Sequence, residues 1–304
     1  FWSHPSVNFE SLIIAATDSG TRAYQIESGD LVAETDAPAA AISVFYFGSG
    51  PSARGFALTK ENDAYRLYEI GNGSPGLTPV ALQGGAAAGD AFCAGAGALY
   101  EISANALSVR EIALTAGGAS IAQPRAVADV AGSACHVDVR TGDVIVIGRD
   151  GAIRSVSPST GESSGIAFAS GEPDASALFL MTGPEPERAP GGVVLTLDAA
   201  SGVVSLYDLL DGRALGAVRI KATFDLDAVA TATTVAAGFG NYGGVYRDGA
   251  LAIVTAGDGA PVRLAPWNGV ADALKLTLGE NVDPRAPQAA REEESLISID
   301  LEHP

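Results

Sequence analysis

The chain has 304 residues, of which 47% are hydrophobic and 18% charged, so it has enough apolar material for a folded core. Its 36 acids and 18 bases give a formal net charge of −18 at pH 7, which argues against nucleic acid as a partner because phosphate backbones attract bases. No apolar run in the sequence approaches the length of a membrane span. The length is compatible with a single large domain, residues 1–304.

Short apolar runs, separated by turns rich in Gly, Ser, Asp and Asn, recur along the chain. They read SLIIAATDSGTRAYQIESGDLVAE from Ser11, GFALTKENDAYRLYEIGNG from Gly55, AFCAGAGALYEISANALSVREI from Ala91, DVIVIGRDGAIRSVSPSTGE from Asp143, GGVVLTLDAASGVVSLYDLL from Gly191 and GALAIVTAGDGAPVRLAPW from Gly249. This composition predicts antiparallel strands joined by hairpins. The repeat interval centres on the length of a four-stranded propeller blade.

Six such units predict an all-β fold, a six-bladed β-propeller with blades of mostly four antiparallel strands. The approximate predicted blades are 11–36, 37–82, 90–123, 124–170, 191–222 and 225–278. The proline-rich stretch 171–192 is expected to be a long surface loop or edge. ESLISIDL, residues 294–301, predicts one last strand that closes the ring in the same sheet as residues 11–17.

Two motif matches and one histidine lack the context that their chemistry needs. The G-x-G-x-x-G pattern 238–243 is followed by strand and turn residues instead of a helix, so no dinucleotide site is expected there. The G-x-S-x-G pattern 161–165 lies between two predicted strands, where a hairpin turn explains it. His136 is the only histidine away from the termini, which argues against a histidine-based triad or zinc cluster.

Two cysteines, Cys93 and Cys135, begin consecutive predicted blades. The inner strands that carry them should therefore be neighbours. A disulfide and a pair of buried free thiols are both compatible with this placement, because sequence does not supply the geometry.

An ordered series of short motifs resembles the β-propeller phytases over nearly the whole chain. The series comprises Phe1-Trp2 with His4-Pro5, the strand SLIIAATD from Ser11, Leu206-Tyr207-Asp208, Asp225-Leu226-Asp227, Ala256-Gly257-Asp258-Gly259 and the strand Val262 to Trp267. The resemblance implies calcium-dependent hydrolysis of phosphomonoesters of phytate. In that family, carboxylates at one mouth of the central channel bind calcium, and basic side chains hold the phosphates.

The resemblance places a calcium site at Asp225, Asp227 and Asp258 and assigns Lys60 and Arg22 to phosphate binding. Asp-Gly and Asp-x-Asp sequences are also common in hairpin turns, so a purely structural role for the three acids stays open. Many other positions depart from the family pattern. They are Ser19, Ser43, Phe45, Ser133 and Arg149. These losses predict an eroded site with weak or no activity in this chain alone, because multi-calcium sites need their full set of ligands.

Three classes of function remain. The first is a phytase-like phosphohydrolase with reduced activity. The second is a non-catalytic propeller, such as the partner domain of a tandem phytase, that binds phytate or another phosphorylated small molecule. The third is a propeller for protein interaction. The acidity and the absence of an initiating Met lead us to expect a processed protein that is secreted or periplasmic.

Overall fold

The computed structural model describes residues 1–71, 76–95, 97–103, 105–169, 171–182, 191–222, 227–257 and 261–285. Their strands form six small, mainly antiparallel sheets arranged in a ring. The predicted all-β, six-bladed β-propeller is therefore confirmed. The sheets are called the first to the sixth blade below, in chain order.

The first three blades contain thirteen described strands. The first blade consists of β1 (Leu12–Thr17), β2 (Gly20–Gln25) and β3 (Leu31–Glu34). The second consists of β4 (Ala41–Phe47), β5 (Arg54–Glu61), β6 (Ala64–Ile70) and β7 (Leu77–Val80). The third consists of β8 (Leu82–Gln83), β9 (Ala91–Gly95), β10 (Ala98–Ser103), β11 (Ala106–Thr115), β12 (Gly118–Ile121) and β13 (Arg125–Ala128).

The remaining blades complete the ring. The fourth consists of β14 (Ala134–Val137), β15 (Val144–Ile147), β16 (Ala152–Val156) and β17 (Ser163–Phe168). The fifth consists of β18 (Ala175–Thr182), β19 (Gly192–Asp198), β20 (Val203–Asp208) and β21 (Ala214–Val218), with β25 (Glu280–Asn281) added beside β18. The sixth consists of β22 (Ala232–Gly238), β23 (Ala250–Thr255) and β24 (Val262–Pro266). Short 3-10 helices lie at Asn8–Glu10, Gly50–Ser52 and Gly244–Tyr246.

Strand β19 shows why these sequences form packed blades. Successive side chains of a strand point to opposite faces of the sheet. Val193 and Leu195 pack towards the sixth blade with Ile253, whereas Val194 packs towards the fourth blade with Ile145. Each such burial stabilises the fold by roughly 1.5–3 kcal/mol. Both faces of the blade are therefore buried between its neighbours.

The prediction of a surface loop or edge over residues 171–192 was wrong for residues Ala175–Thr182, and residues 183–190 lie outside the described part of the chain. Residues Ala175–Thr182 form β18, the inner strand of the fifth blade, and Phe179 and Leu180 in it are fully buried. The fifth blade thus begins well before the predicted residue 191. The prolines and acids on both sides hid the apolar run ASALFLMT in the composition of the segment.

The sixth blade continues from its third strand into a helix, α1 (Trp267–Leu274). Trp267 is fully buried, and its ring stacks on Phe179 of the fifth blade with 3.6 Å between the ring centroids and 9° between the planes. The helix ends at Lys275, which adopts the left-handed conformation. The described part of the chain contains no helix that is long and apolar enough to cross a membrane.

A buried ion pair of the third blade contacts the second blade through Tyr65. The Arg110 guanidinium lies 3.6 Å from the Glu101 carboxylate, and both side chains are almost fully buried. The Tyr65 hydroxyl donates a 2.8 Å hydrogen bond to Glu101, and burial together with this carboxylate raises the pKa of Tyr65. Arg110 donates its other hydrogen bonds to the carbonyls of Gly84, Ala86 and Ala122. Charge pairing and carbonyl contacts together compensate the loss of water around these groups.

Cys93 and Cys135 form a disulfide that joins the inner strands β9 and β14 of adjacent blades. Sequence left this pairing open. The sequence separation of the cysteines is 42, so the bond restricts a long loop of the unfolded chain.

The predicted closing strand 294–301 lies outside the described residues, and so its pairing stays a prediction. Its proposed partner β1 lies at the edge of the first blade. In the described residues, the first blade therefore has one fewer strand than the second.

Removal of the disulfide is expected to destabilise the ring. The Cys93→Ala/Cys135→Ala variant should lose about 4 kcal/mol of unfolding free energy, because the unfolded chain regains the entropy of the open loop. Urea unfolding of the variant and of the parent, each with and without a reducing agent, measures this loss. The reducing agent should shift the midpoint of the parent alone. Equal midpoints for the oxidised parent and the variant would contradict the prediction.

Candidate functional site: the central channel

A channel of about 1400 Å³ runs through the middle of the ring. Its walls are formed by β1, β4, β9, β14, β18 and β22. Strands β9 and β14 lie side by side, and the last residue of each is close to the last residue of the other. A Cβ atom added to Gly95, at the end of β9, would lie 2.9 Å from the side chain of Val137, at the end of β14. We call the side of the ring where β4, β9, β14, β18 and β22 begin the entry mouth, and the side where they end the exit mouth.

The channel wall is mainly apolar and nearly free of charge. Alanine, valine, isoleucine and phenylalanine predominate among the described lining residues. Of these lining residues, Asp90 and Glu111 are the acids, and Arg125 is the single lysine or arginine. A wall of this kind does not attract a polyanion, because a highly charged phosphate ester needs an excess of bases.

A polar pair, His136 and Ser176, lies on the wall between the fourth and fifth blades. The Nε2 atom of His136 lies 2.8 Å from the Ser176 hydroxyl oxygen, within hydrogen-bond distance. Burial lowers the pKa of His136 from 6.5 to about 4, so the imidazole is neutral at physiological pH. A base with so low a pKa is poorly matched to the activation of a serine nucleophile near pH 7. The pair is therefore better suited to hydrogen bonding with a ligand.

Sequence reasoning missed this pair. Ser176 belongs to β18, which the sequence placed in a loop, and forty residues separate it from His136. Only the packing of two inner strands brings the two side chains together. The prediction that His136 does not form part of a zinc cluster or triad stays a prediction.

Lys60 lies at the end of β5, beside the entry mouth, since its register partner is Ala41 at the start of β4. Its ammonium group contacts the backbone carbonyl of Gly89 and lies 3.5 Å from that of Asp90. These contacts join the second blade to the segment that leads into the third. In this structure the predicted phosphate-binding lysine thus serves the interface between two blades.

Arg22 lies on β2 and is not itself among the residues that line the channel, although its register partner Ala15 is. Its Nε atom is 3.7 Å from the Glu34 carboxylate; the Arg22 side chain is 38% exposed and the Glu34 side chain 61%. An exposed pair of this kind contributes little to stability. The structure therefore does not bring Arg22 and Lys60 together at one site.

Asp227 is exposed in the segment that precedes β22. The other two predicted calcium ligands, Asp225 and Asp258, lie outside the described residues. Among the residues that are described, no three His, Cys, Asp or Glu side chains are grouped closely enough to hold a metal ion. The calcium site stays a prediction that depends on Asp225 and Asp258.

Two departures from the phytase pattern serve the packing between blades. Phe45, where the family has Arg, is buried and lies 5.9 Å from Phe56 and 5.6 Å from Phe47, measured between ring centroids. The Ser43 hydroxyl accepts a 3.0 Å hydrogen bond from the backbone N–H of Ala94 in the third blade. An arginine at residue 45 would have to place its charge among aromatic rings, which is costly without a partner.

Both glycine motifs take the structures that sequence context predicted. Residues 161–165 include the hairpin between β16 and β17, in which Ser157 N–H donates to the Glu162 carbonyl. Residues 238–243 follow β22 and lead into a single 3-10 turn, Gly244–Tyr246, instead of an α-helix. Neither segment therefore has the strand-to-helix context of its motif.

Comparison with known proteins identifies the fold but not a family. No protein-family model matches the chain, and no curated protein matches it. A protein of unknown function from Bacteroides thetaiotaomicron is similar in structure, with a TM-score of 0.52 and 12% identity over 85% of this chain and 67% of that chain. The RRP9 WD40 repeats and U3-55K each give a TM-score of 0.43 over 85% of this chain and 78% of theirs, at 15% and 14% identity. At such identity, the similarity shows the fold alone.

The stability of the ring should depend on the protonation of His136. Because the pKa of His136 is about 4 in the folded chain and near 6.5 when unfolded, the unfolded state binds more protons between these values. Stability should therefore be greatest above pH 6.5 and fall as the pH approaches 4. Thermal unfolding from pH 7 to pH 4 should show a smaller loss of melting temperature for His136→Gln than for the parent. Parallel curves for the two proteins would contradict this assignment.

Proposed function

We propose that the chain is a non-catalytic, phytase-like propeller that binds a ligand in its central channel. The observation that carries this proposal is the channel wall, which is apolar and nearly uncharged and presents the neutral His136–Ser176 pair. A large apolar cavity with a few convergent polar groups is the usual form of a small-molecule site. Binding is thus favoured over hydrolysis.

The contacts of the predicted phosphate-binding residues support the same proposal. Lys60 contacts backbone carbonyls and Arg22 pairs with Glu34 at the surface, so neither is directed to a shared phosphate position. Phosphate transfer relies on several charged groups that are aimed at the reacting atoms. A scaffold that retains the ring but uses its bases elsewhere should hydrolyse phytate poorly.

The chemistry of the wall also defines the class of ligand. Apolar side chains favour a mainly apolar molecule, and a neutral imidazole with a hydroxyl group favours an uncharged hydrogen-bonding group on it. The Cys93–Cys135 disulfide supports secretion or a periplasmic location, because disulfides persist in oxidising compartments. A ring that binds a ligand without hydrolysing it is compatible with a role beside a catalytic phytase domain.

Phosphate release tests the loss of catalysis. The chain should release phosphate from phytate and from an aryl phosphate at background rates, even with saturating calcium. A turnover near one per second or faster, within the usual range of enzymes, would overturn the proposal. Calorimetric titration of calcium into the parent and into Asp227→Asn accompanies the assay. Equal calcium binding by the two proteins would remove Asp227 from any calcium site.

Binding of the neutral apolar dye Nile red tests the channel site. The parent should bind the dye with enhanced fluorescence, and Ser176→Ala should weaken binding several-fold by removing a buried hydrogen-bonding group. Ser164→Ala is the matched control, since Ser164 is exposed on the outer strand β17. Absence of dye binding by the parent, or equal loss in both variants, would count against a ligand site at Ser176.

A further inference from the structure

The outer edge of the fourth blade is strand β17, and no described strand pairs with its far side. The Ala169 N–H donates a 2.8 Å hydrogen bond to the Gly151 carbonyl, on the side of β16. Because hydrogen-bonding directions alternate along a strand, the N–H and C=O groups of the preceding residue, Phe168, point to the far side. In the described residues, the backbone of Phe168 is therefore available to another strand.

Strand β17 lacks the features that protect the other outer strands from pairing. Four of those strands contain a proline or a charged residue, namely Glu34 in β3, Pro79 in β7, Arg125 in β13 and Arg263 in β24. The fifth, β21, packs against helix α1, since a Cβ atom added to Gly216 would lie 2.7 Å from the Leu274 side chain. The sequence of β17, SSGIAF, has neither a charge nor a proline. Charges and prolines discourage edge pairing, so β17 is open to it.

A β-bulge at Ile166 is the one irregularity of this edge. Bulges also turn a strand edge away from pairing. The outer strands of the first and fifth blades have the same kind of bulge, so it does not protect β17 more than its counterparts. Phe168 lies beyond the bulge, in register with Ala152 of β16.

Two exposed apolar side chains border the same edge. Leu210 and Phe168 are 80% and 74% exposed, the highest values among the large hydrophobic residues that the structure describes. Gly212, in the same turn as Leu210, lies against β17, because a Cβ atom added to it would be 1.7 Å from the Ile166 carbonyl oxygen. A single exposed apolar residue is ordinary, but two beside an open strand edge indicate an interaction surface.

Charged side chains in the adjoining turns are paired with one another. Arg154 lies 3.2 Å from Asp150, and Arg213 lies 3.9 Å from Asp211. The formal net charge of −18 makes two copies of the chain repel each other at long range. Salt screens this repulsion beyond about 8 Å at physiological ionic strength. Two copies can therefore meet at an edge that carries no charge of its own.

We infer that β17 is a homodimer interface, in which it pairs antiparallel with β17 of a second copy about a two-fold axis at Phe168. The axis places each residue opposite its own symmetry mate, so an uncharged, apolar edge is complementary to itself. The two Phe168 residues exchange backbone hydrogen bonds, and their rings form a cross-strand aromatic pair. Leu210 of each copy lies beside this pair. The fourth blades of the two molecules then form one continuous sheet.

Sedimentation velocity of the full chain, from micromolar to millimolar concentration, tests this inference. The parent should show a reversible equilibrium between monomer and dimer. Phe168→Asp should weaken the dimer roughly 100-fold, because two carboxylates would face each other across the axis. Leu31→Asp is the matched control and should leave the dimer unchanged, since Leu31 is an exposed leucine on the outer strand β3. Added salt should strengthen the dimer by screening the repulsion between the acidic copies.

Cross-linking provides a second test that locates the axis. Both cysteines of the chain form the disulfide, so Phe168→Cys introduces a single free thiol. A short bis-maleimide should link two copies of Phe168→Cys and should not link Leu31→Cys.

Three outcomes would overturn the inference. A parent that stays monomeric throughout would leave the edge to a different protein. A dimer that is insensitive to Phe168→Asp would use another face of the ring. Growth into species larger than a dimer would show a contact that does not close about a two-fold axis.

Discussion

The structure depends on the burial of both faces of every blade against its two neighbours. Val193 and Val194 are adjacent in β19, yet they pack in different interblade layers, towards the sixth and the fourth blade respectively. A blade with an uncovered face would expose a row of such residues to water. The ring must therefore be complete, and each blade needs its innermost strand.

The same constraint explains where the charged side chains are used. Arg110 and Glu101 pair within the third blade, where Tyr65 of the second blade donates to Glu101, and Lys60 contacts backbone carbonyls at the same interface. Arg140 pairs with Asp138 at 2.6 Å and donates to the Met181 carbonyl at 3.0 Å, which joins the fourth blade to the fifth. Bases that hold blades together are not free to bind phosphate.

The resemblance to β-propeller phytases and the structure therefore assign different roles to the same residues. The motifs follow the family order along the chain, but Phe45 and Ser43 pack between blades where the resemblance implies functional groups. The neutral His136–Ser176 pair on the wall was part of no motif. Together these observations support the proposed ligand site inside the ring. The structural similarity to the Bacteroides thetaiotaomicron protein supports the fold alone.

The sequence by itself determined the number of blades and most of their strands, because alternation and turn chemistry are local properties of the chain. It failed at β18, where flanking prolines and acids masked an apolar run, and it left the Cys93–Cys135 pairing open. Tertiary structure alone decided the His136–Ser176 contact and the partners of Lys60. Each of these depends on how distant strands pack around the channel, and that packing has no signature in the spacing of residues along the chain.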